Sequence, residues 1–220
     1  MKFPTVAYQP GRVPIEQSLE TLRADFEIAN ARRSVRMFSS EHVPQEAIET
    51  AIRIAGTAPS GAHRQPWKFV AISEPETKRQ IREAAEKEER EFYEKRAPKE
   101  WLEALAPLGT DFQKEYLTTV PWIVVVFRQD YEILPDGSRQ KNYYMSESVG
   151  IAVGFFIAAL HRAGLATLTH TPAPMTFLRE ICGRPENEKP FVLMPIGYPA
   201  EECEVPDLKR KSLEEISLFL

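Results

Sequence analysis

The hydrophobic and polar positions of the chain change period several times. Between residues 15 and 30, Leu19, Leu22 and Phe26 recur at helical spacing. Between 44 and 55, Ala47, Ile48, Ala51, Ile52 and Ala55 form a stripe opened by Pro44 and closed by Gly56, which predicts a helix. "PWKFVAIS" (66–73) reads as a strand. "SEPE" (73–76) reads as a capping box, with Ser73 as N-cap and Glu76 at the third helical position, opening a helix that runs to about residue 96. Leu102, Leu105 and Leu108 extend helical character over 101–119. "WIVVVFRQ" (122–129) has the β-branched run of a buried strand, and "LPDGSR" is a turn. A long helix is predicted over 142–163, closed by Gly164. "LATLTHTP" (165–172) alternates like a strand and stops at Pro172. A short helix over 174–182 ends at Gly183, and "FVLMPIGYP" (191–199) is the last strong strand.

Four strands spaced irregularly among helices predict one mixed sheet with helices on both faces. Residues 74–119 interrupt that pattern as a largely helical excursion. From Val149 to Leu160 the long helix is apolar almost all round, so it needs cover on every side. A partner chain would supply it, and Gly150 and Gly154 would permit close approach. The alternative is a central core helix in a monomer.

The length, 220 residues, suits one domain, and about three quarters of its unfolded surface can be buried. Hydrophobic and charged contents of 43% and 27% are those of ordinary globular proteins, so no staple is required. A net charge of −4 does not favour nucleic acid as a partner. Cys182 and Cys203 form no C-x-x-C, which points to a reducing compartment. "MKFPTVAYQPGRVP" has no signal-peptide core, and the apolar stretch 148–160 is too short to span a bilayer. A cytoplasmic protein with no membrane association is expected.

Several short stretches carry candidate chemistry. "RRSVR" (32–36) places three guanidiniums and a hydroxyl within five positions. In an extended chain Arg32, Ser34 and Arg36 project one way and Arg33 the other, an arrangement that can surround a phosphate; a solvated basic turn is the plainer reading. Neither a P-loop nor a dinucleotide fingerprint is present. "APSGAHRQPW" (58–67) joins small residues to Pro66. It serves as a connector, or as a loop whose bare backbone approaches a flat ligand. "EKEEREFYEKR" (86–96) buries little and should be mobile. Glu89 and Tyr93 share one of its faces, with Lys114 on the next helix. An acid, a phenol and an amine can grip a zwitterion; i, i+4 pairs on a solvated helix are the alternative. "TLTHTP" (167–172) sets threonines at a strand end, where Thr171 can donate a hydrogen bond that Pro172 cannot. His42, His63, His161 and His170 show no metal spacing, and no nucleophile triad stands out. An enzyme built this way relies on a cofactor.

Taken together, "RRSVR", "APSGAHRQPW", "TLTHTP", "GYP" and "VPDLKRK" (205–211) resemble the nitroreductase flavoprotein superfamily. With the E-x-x-x-Y of Glu89 and Tyr93 and with "KEYL" (114–117), the likeness is to its iodotyrosine deiodinase branch, from about residue 30 onward. The resemblance implies an α+β fold, three layers (α/β/α) around a mixed sheet, in an intertwined homodimer. Residues 1–220 would form a single FMN-binding domain, with a lid over 74–119 and a tail over 200–220 reaching the partner subunit. It implies noncovalent FMN held by Arg32, Arg33, Ser34, Arg36 and Arg210, lined by Ser60 and Gly61, with Thr169, His170 and Thr171 beside the ring. Thr171 would tune the flavin toward one-electron steps, which makes it the catalytic residue. The implied substrate is a halotyrosine such as 3-iodotyrosine. The Ala62 N–H would meet its phenolate, Glu89 its ammonium and Lys114 its carboxylate, with Tyr93 adding a hydrogen bond. The reaction is reductive dehalogenation, fed by an unidentified reductant or reductase. Membrane-anchored animal members differ in having an N-terminal anchor. His170, Arg64 and Gln65 receive no particular role. A general NAD(P)H-dependent nitro or quinone reductase and a non-catalytic flavin-binding dimer are the competing readings.

Overall fold

Residues 3–220 are described by a computed structural model, in two units: the residues up to Arg32, and Arg33–Leu220. The first unit holds one helix, α1 (Ile15–Ala31), entered through Pro14; none of its residues is buried.

The second unit carries the remaining elements. They are α2 (Gln45–Ala55), β1 (Trp67–Ile72), α3 (Pro75–Glu91), α4 (Lys99–Leu105), α5 (Tyr116–Thr119), β2 (Trp122–Gln129), β3 (Tyr131–Ile133) and β4 (Arg139–Lys141). Then follow α6 (Met145–Arg162), β5 (Ala166–Thr167), α7 (Thr176–Ile181), β6 (Glu188–Gly197) and α8 (Leu213–Ile216). The sheet order is β1-β2-β6-β5, and each neighbouring pair is antiparallel. A parallel bridge between Ser34 and Thr167 makes the sheet mixed.

Side chains alternate across β2, and both of its faces are covered. Trp122, Val124 and Val126 pack with Ile48 and Ala51 of α2 and Val149 and Phe156 of α6. Ile123, Val125 and Phe127 pack with Ile81 and Ala85 of α3, Leu117 of α5 and Leu178 of α7. Three layers result, and the double cover explains why β2 reads as one continuous apolar run. Each fully buried large apolar side chain contributes about 1.5–3 kcal/mol.

The structure departs from the sequence reading at several boundaries. Glu74, not Ser73, caps α3: its carboxylate accepts from the Glu76 and Thr77 N–H groups, and Pro75 occupies the first turn. The cap moves because Pro75 has no N–H to satisfy and suits the first helical position. After α3 the chain widens into a π turn over Phe92–Arg96, closed by the Ala97 N–H donating to the Phe92 carbonyl. The helix predicted over 101–119 is broken after a 3-10 turn over Ala106–Leu108, where Gly109 takes a φ of 58°. "LPDGSR" is a turn as expected, but short strands β3 and β4 flank it.

Only Ala166 and Thr167 of the stretch 165–172 form a ladder with β6. His170 rejoins β6 alone, exchanging both backbone hydrogen bonds with Leu193 at 2.8 and 2.9 Å. The α6 helix buries Val149, Val153 and Phe156 and turns Ile151 and Phe155 outward. Nothing lies within 4 Å of where a Cβ on Gly150 or Gly154 would stand. Among the described residues, no helix is long and apolar enough to cross a membrane.

Candidate active site

A cavity of about 540 Å³ opens between the end of α3, the segment leading to α5, and the strand end beyond β5. The i, i+4 spacing puts Glu89 and Tyr93 on its wall, as a shared helix face requires. Lys114 enters from the segment before α5. Thr169, His170 and Thr171 enter from the strand end, and Arg36 from the extended segment ahead of α2.

Glu89 is the hub. Its Oε2 lies 2.7 Å from the Lys114 Nζ, and its Oε1 lies 2.6 Å from the His170 Nε2. The Lys114 side chain is only 2% exposed and that of Glu89 14%. A buried ammonium needs acceptors on every side, and here they are present. The Lys114 Nζ also donates to the Thr110 hydroxyl at 3.3 Å and to the Asp111 carbonyl. The Lys114 backbone N–H donates to Glu86 at 2.8 Å, and Glu86 is paired with Arg82. Tyr93 donates to the Thr110 carbonyl at 3.4 Å. Phe92 stands edge-on to Trp101, ring centres 5.9 Å apart, and both line the cavity.

Burial pushes the Glu89 carboxyl up, but the hydrogen bonds from His170 and Lys114, with the Lys114 charge, outweigh it and leave it below its ordinary value. Burial lowers His170 more than Glu89 raises it, so the imidazole is neutral at neutral pH. A carboxylate only accepts, so the His170 Nε2 carries the proton and its Nδ1 is a bare acceptor. Burial raises Tyr93, with the Glu89 charge adding to it, and the phenol keeps its proton.

Two buried polar atoms in this wall, the Arg36 Nε and the His170 Nδ1, have no hydrogen-bond partner among the described residues. Such atoms are costly unless a ligand meets them.

The other residues singled out in the sequence lie elsewhere. Arg32 ends α1 in an extended conformation. Arg33 donates to the Pro206 carbonyl, which ties its segment to the tail, and Ser34 bridges Thr167. Arg33 and Arg36 thus diverge, as alternation along an extended chain demands. Arg210 lies on the exposed tail.

Ser60, Gly61 and Ala62 are not part of the cavity wall. They form a tight loop in which Ala62, His63 and Gln65 take φ angles of 50°, 54° and 47°. Non-glycine residues in that region store about 1–3 kcal/mol each, so the loop is held from outside. The Ser60 hydroxyl accepts from the Gln65 N–H at 2.9 Å, and the Gly61 N–H donates to Ser148 of α6 at 3.2 Å. Arg64 reaches Asn142 at 3.0 Å and Glu132 at 2.6 Å.

Within one chain, then, the fold gathers Arg36, Glu89, Tyr93, Lys114 and the 169–171 stretch, and leaves Ser60, Gly61, Ala62 and Arg210 apart. Sequence reasoning missed the bond from Glu89 to His170 and the aromatic wall of Phe92 and Trp101. One signal was legible: continuing the strand alternation turns Leu168 and His170 inward, between exposed Thr169 and Thr171.

Residues 29–198 match the profile of the nitroreductase family. The chain is 53% identical over 206 residues to iodotyrosine deiodinase of Haliscomenobacter hydrossis, covering 94% of this chain and 93% of that protein. It is 43% identical over 212 residues to iodotyrosine deiodinase 1 of Homo sapiens, covering 96% and 73%. It also resembles a crystal structure of oxidised iodotyrosine deiodinase bound to FMN and 3-iodo-L-tyrosine. That likeness has a TM-score of 0.75 at 27% identity and covers 89% of this chain and 100% of the other.

Proposed function

The chain belongs to the nitroreductase family, and on that premise we propose that it is an FMN-dependent enzyme that reductively removes halide from halotyrosines, 3-iodotyrosine becoming tyrosine and iodide. The observation that carries this reading is the buried Glu89–Lys114 pair, with Tyr93 beside it, facing the 169–171 strand end across one cavity. A general reductase of flat aromatics has no use for a buried acid and amine at that place. An α-amino acid head is their complement: its ammonium suits Glu89, its carboxylate Lys114, and Tyr93 adds a donor.

The unpaired Arg36 Nε supports a flavin. A guanidinium donor suits the acceptor-rich pyrimidine edge of the isoalloxazine ring. Arg32, Arg33, Ser34 and Arg210 are the candidates for the phosphate, and Thr169 and Thr171 for the ring's other edge. Reduced FMN, when bound, supplies the two electrons that depart with iodide as the carbon–iodine bond breaks and a proton takes its place on carbon.

The protein's own groups bind and orient. The Ala62 N–H favours the phenolate over the phenol, because a hydrogen bond to the charged form lowers a pKa. Closing 74–119 over the amino acid head excludes water.

The reading includes a homodimer with shared sites. The outward Ile151, Phe155, Gly150 and Gly154 supply a face for a second copy. The 60–62 loop and the tail, neither on this chain's cavity wall, would complete the partner's site. A cytoplasmic location accords with two free cysteines, and a separate reductant or reductase restores the flavin.

The test is an anaerobic titration of the dithionite-reduced protein with 3-iodotyrosine, following flavin absorbance and iodide. Reoxidation with stoichiometric iodide release is expected. A yellow protein whose reduced flavin ignores iodotyrosine would refute the assignment.

A further inference from the structure

His170 joins the 74–119 side of the site to the sheet side through a side-chain hydrogen bond. Its backbone exchanges both hydrogen bonds with Leu193 of β6, so it is fixed to the sheet. Its partner Glu89 stands near the end of α3, on the excursion. Lys114 also belongs to the excursion and draws on Thr110 and Asp111 of its own segment. The 2.6 Å bond between Glu89 and His170 is therefore the hydrogen bond that registers the acid against the sheet, whereas the bond between Glu89 and Lys114 joins two parts of the excursion.

This division has a consequence for an incoming zwitterion. Turning Lys114 toward the ligand carboxylate frees the Glu89 Oε2 for the ligand ammonium. During that exchange only His170 keeps the Glu89 carboxylate in place, through Oε1. We propose that His170 is a positioning residue that holds Glu89 in register with the sheet to receive the ammonium of an α-amino acid substrate. The proposal rests on the halotyrosine reading and deepens it by naming what enforces selection of the amino acid head.

The chemistry of the wall fits. The imidazole acts as a neutral donor to a carboxylate, so Glu89 keeps its own negative charge for a cation to meet. The groups facing His170 are Glu89 from α3, Lys114 from the segment before α5, Arg36 from the segment ahead of α2, and the phenols of Tyr93 and Tyr116. The Tyr116 ring stands edge-on, 6.2 Å away. A third positive charge, on His170, would face Lys114 and Arg36 and would compete with the ligand ammonium for Glu89. Zwitterion affinity should therefore fall as His170 protonates, below its ordinary value near pH 6.5.

The test compares binding of 3-iodotyrosine and 2-iodophenol to the oxidised, FMN-loaded protein by flavin fluorescence near neutral to mildly alkaline pH, where His170 is neutral. The proteins are wild type, His170→Ala and His170→Gln; the last keeps a neutral donor, and bound flavin verifies folding. Near pH 8, His170→Ala is expected to weaken 3-iodotyrosine about tenfold, the value of a hydrogen bond to a charged group, and to leave 2-iodophenol within about twofold. His170→Gln should recover most of that loss. Equal loss for both ligands, or no recovery in His170→Gln, would overturn the proposal while leaving the halotyrosine reading intact. Failure of wild type to bind 3-iodotyrosine at any pH would overturn both.

Discussion

Replacing Gly61 by alanine tests the loop that is to meet the phenolate. A Cβ added there would stand 2.7 Å from the Tyr143 carbonyl oxygen and 2.9 Å from the Tyr144 Cδ2. Real Cβ contacts essentially never come that close, and the nearer atom is backbone, so it cannot swing aside. Tyr144 is already held at a φ of 47° where it leads into α6, which leaves little room for adjustment. Overpacking of this kind costs about 1–3 kcal/mol. Movement of the loop would also break the Gly61 N–H bond to the Ser148 hydroxyl, about 1 kcal/mol more. The total, about 2–4 kcal/mol, corresponds to a fall in Tm of about 5–15 °C for a chain of this length. Differential scanning calorimetry measures it, with Gly11→Ala as control: nothing lies within 4 Å of a Cβ there, so its Tm should stay within about 1 °C of wild type. The neighbouring Ala62 N–H should be displaced as well, weakening halotyrosine binding about tenfold beyond any loss of folded protein. A Gly61→Ala protein with unchanged Tm and unchanged halotyrosine affinity would show that the loop has slack and that its backbone is not the phenolate contact.

Three further outcomes are expected. Glu89→Gln should weaken 3-iodotyrosine about tenfold to a hundredfold while reduction of a simple nitroaromatic persists, and equal effects on both would favour a general reductase. Phe155→Glu places a charge on the outward face of α6 and should shift the protein to monomer in sedimentation velocity; a persistent dimer would mean that copies meet through another surface. Stability should fall with acid. Glu89 is lowered by its partners and His170 by burial, so the unfolded chain binds more protons than the folded one. The His170 contribution is complete above its unfolded value near pH 6.5 and is lost as pH drops through its lower folded value. The Glu89 contribution is lost in the same way below about pH 4.5. Urea midpoints that rise on acidification would contradict both.

Much of the fold was legible in the chain. The stripe over Ala47–Ala55, the β-branched run at 122–129 and the apolar 148–160 stretch each report a local period that burial on a definite face imposes. These elements appear as α2, β2 and α6. The start of α3 was less legible, because Ser73 and Glu74 are both able caps and Pro75 favours the later one. The strand end at 165–172 was overstated: alternation persists there, but pairing with β6 is confined to Ala166, Thr167 and His170.

By itself the sequence determined which side chains share a helix face or alternate along a strand, since those relations depend only on backbone geometry. It therefore put Glu89 with Tyr93 and separated Arg33 from Arg36. Only the tertiary structure decided that the Glu89 carboxylate, 81 positions from His170 along the chain, meets that imidazole and the Lys114 ammonium together. Contacts between distant segments are set by how layers pack against the sheet, and no local period encodes them. The same packing leaves the Lys114 side chain only 2% exposed, and a charge pair so shielded from water interacts more strongly than one on the surface.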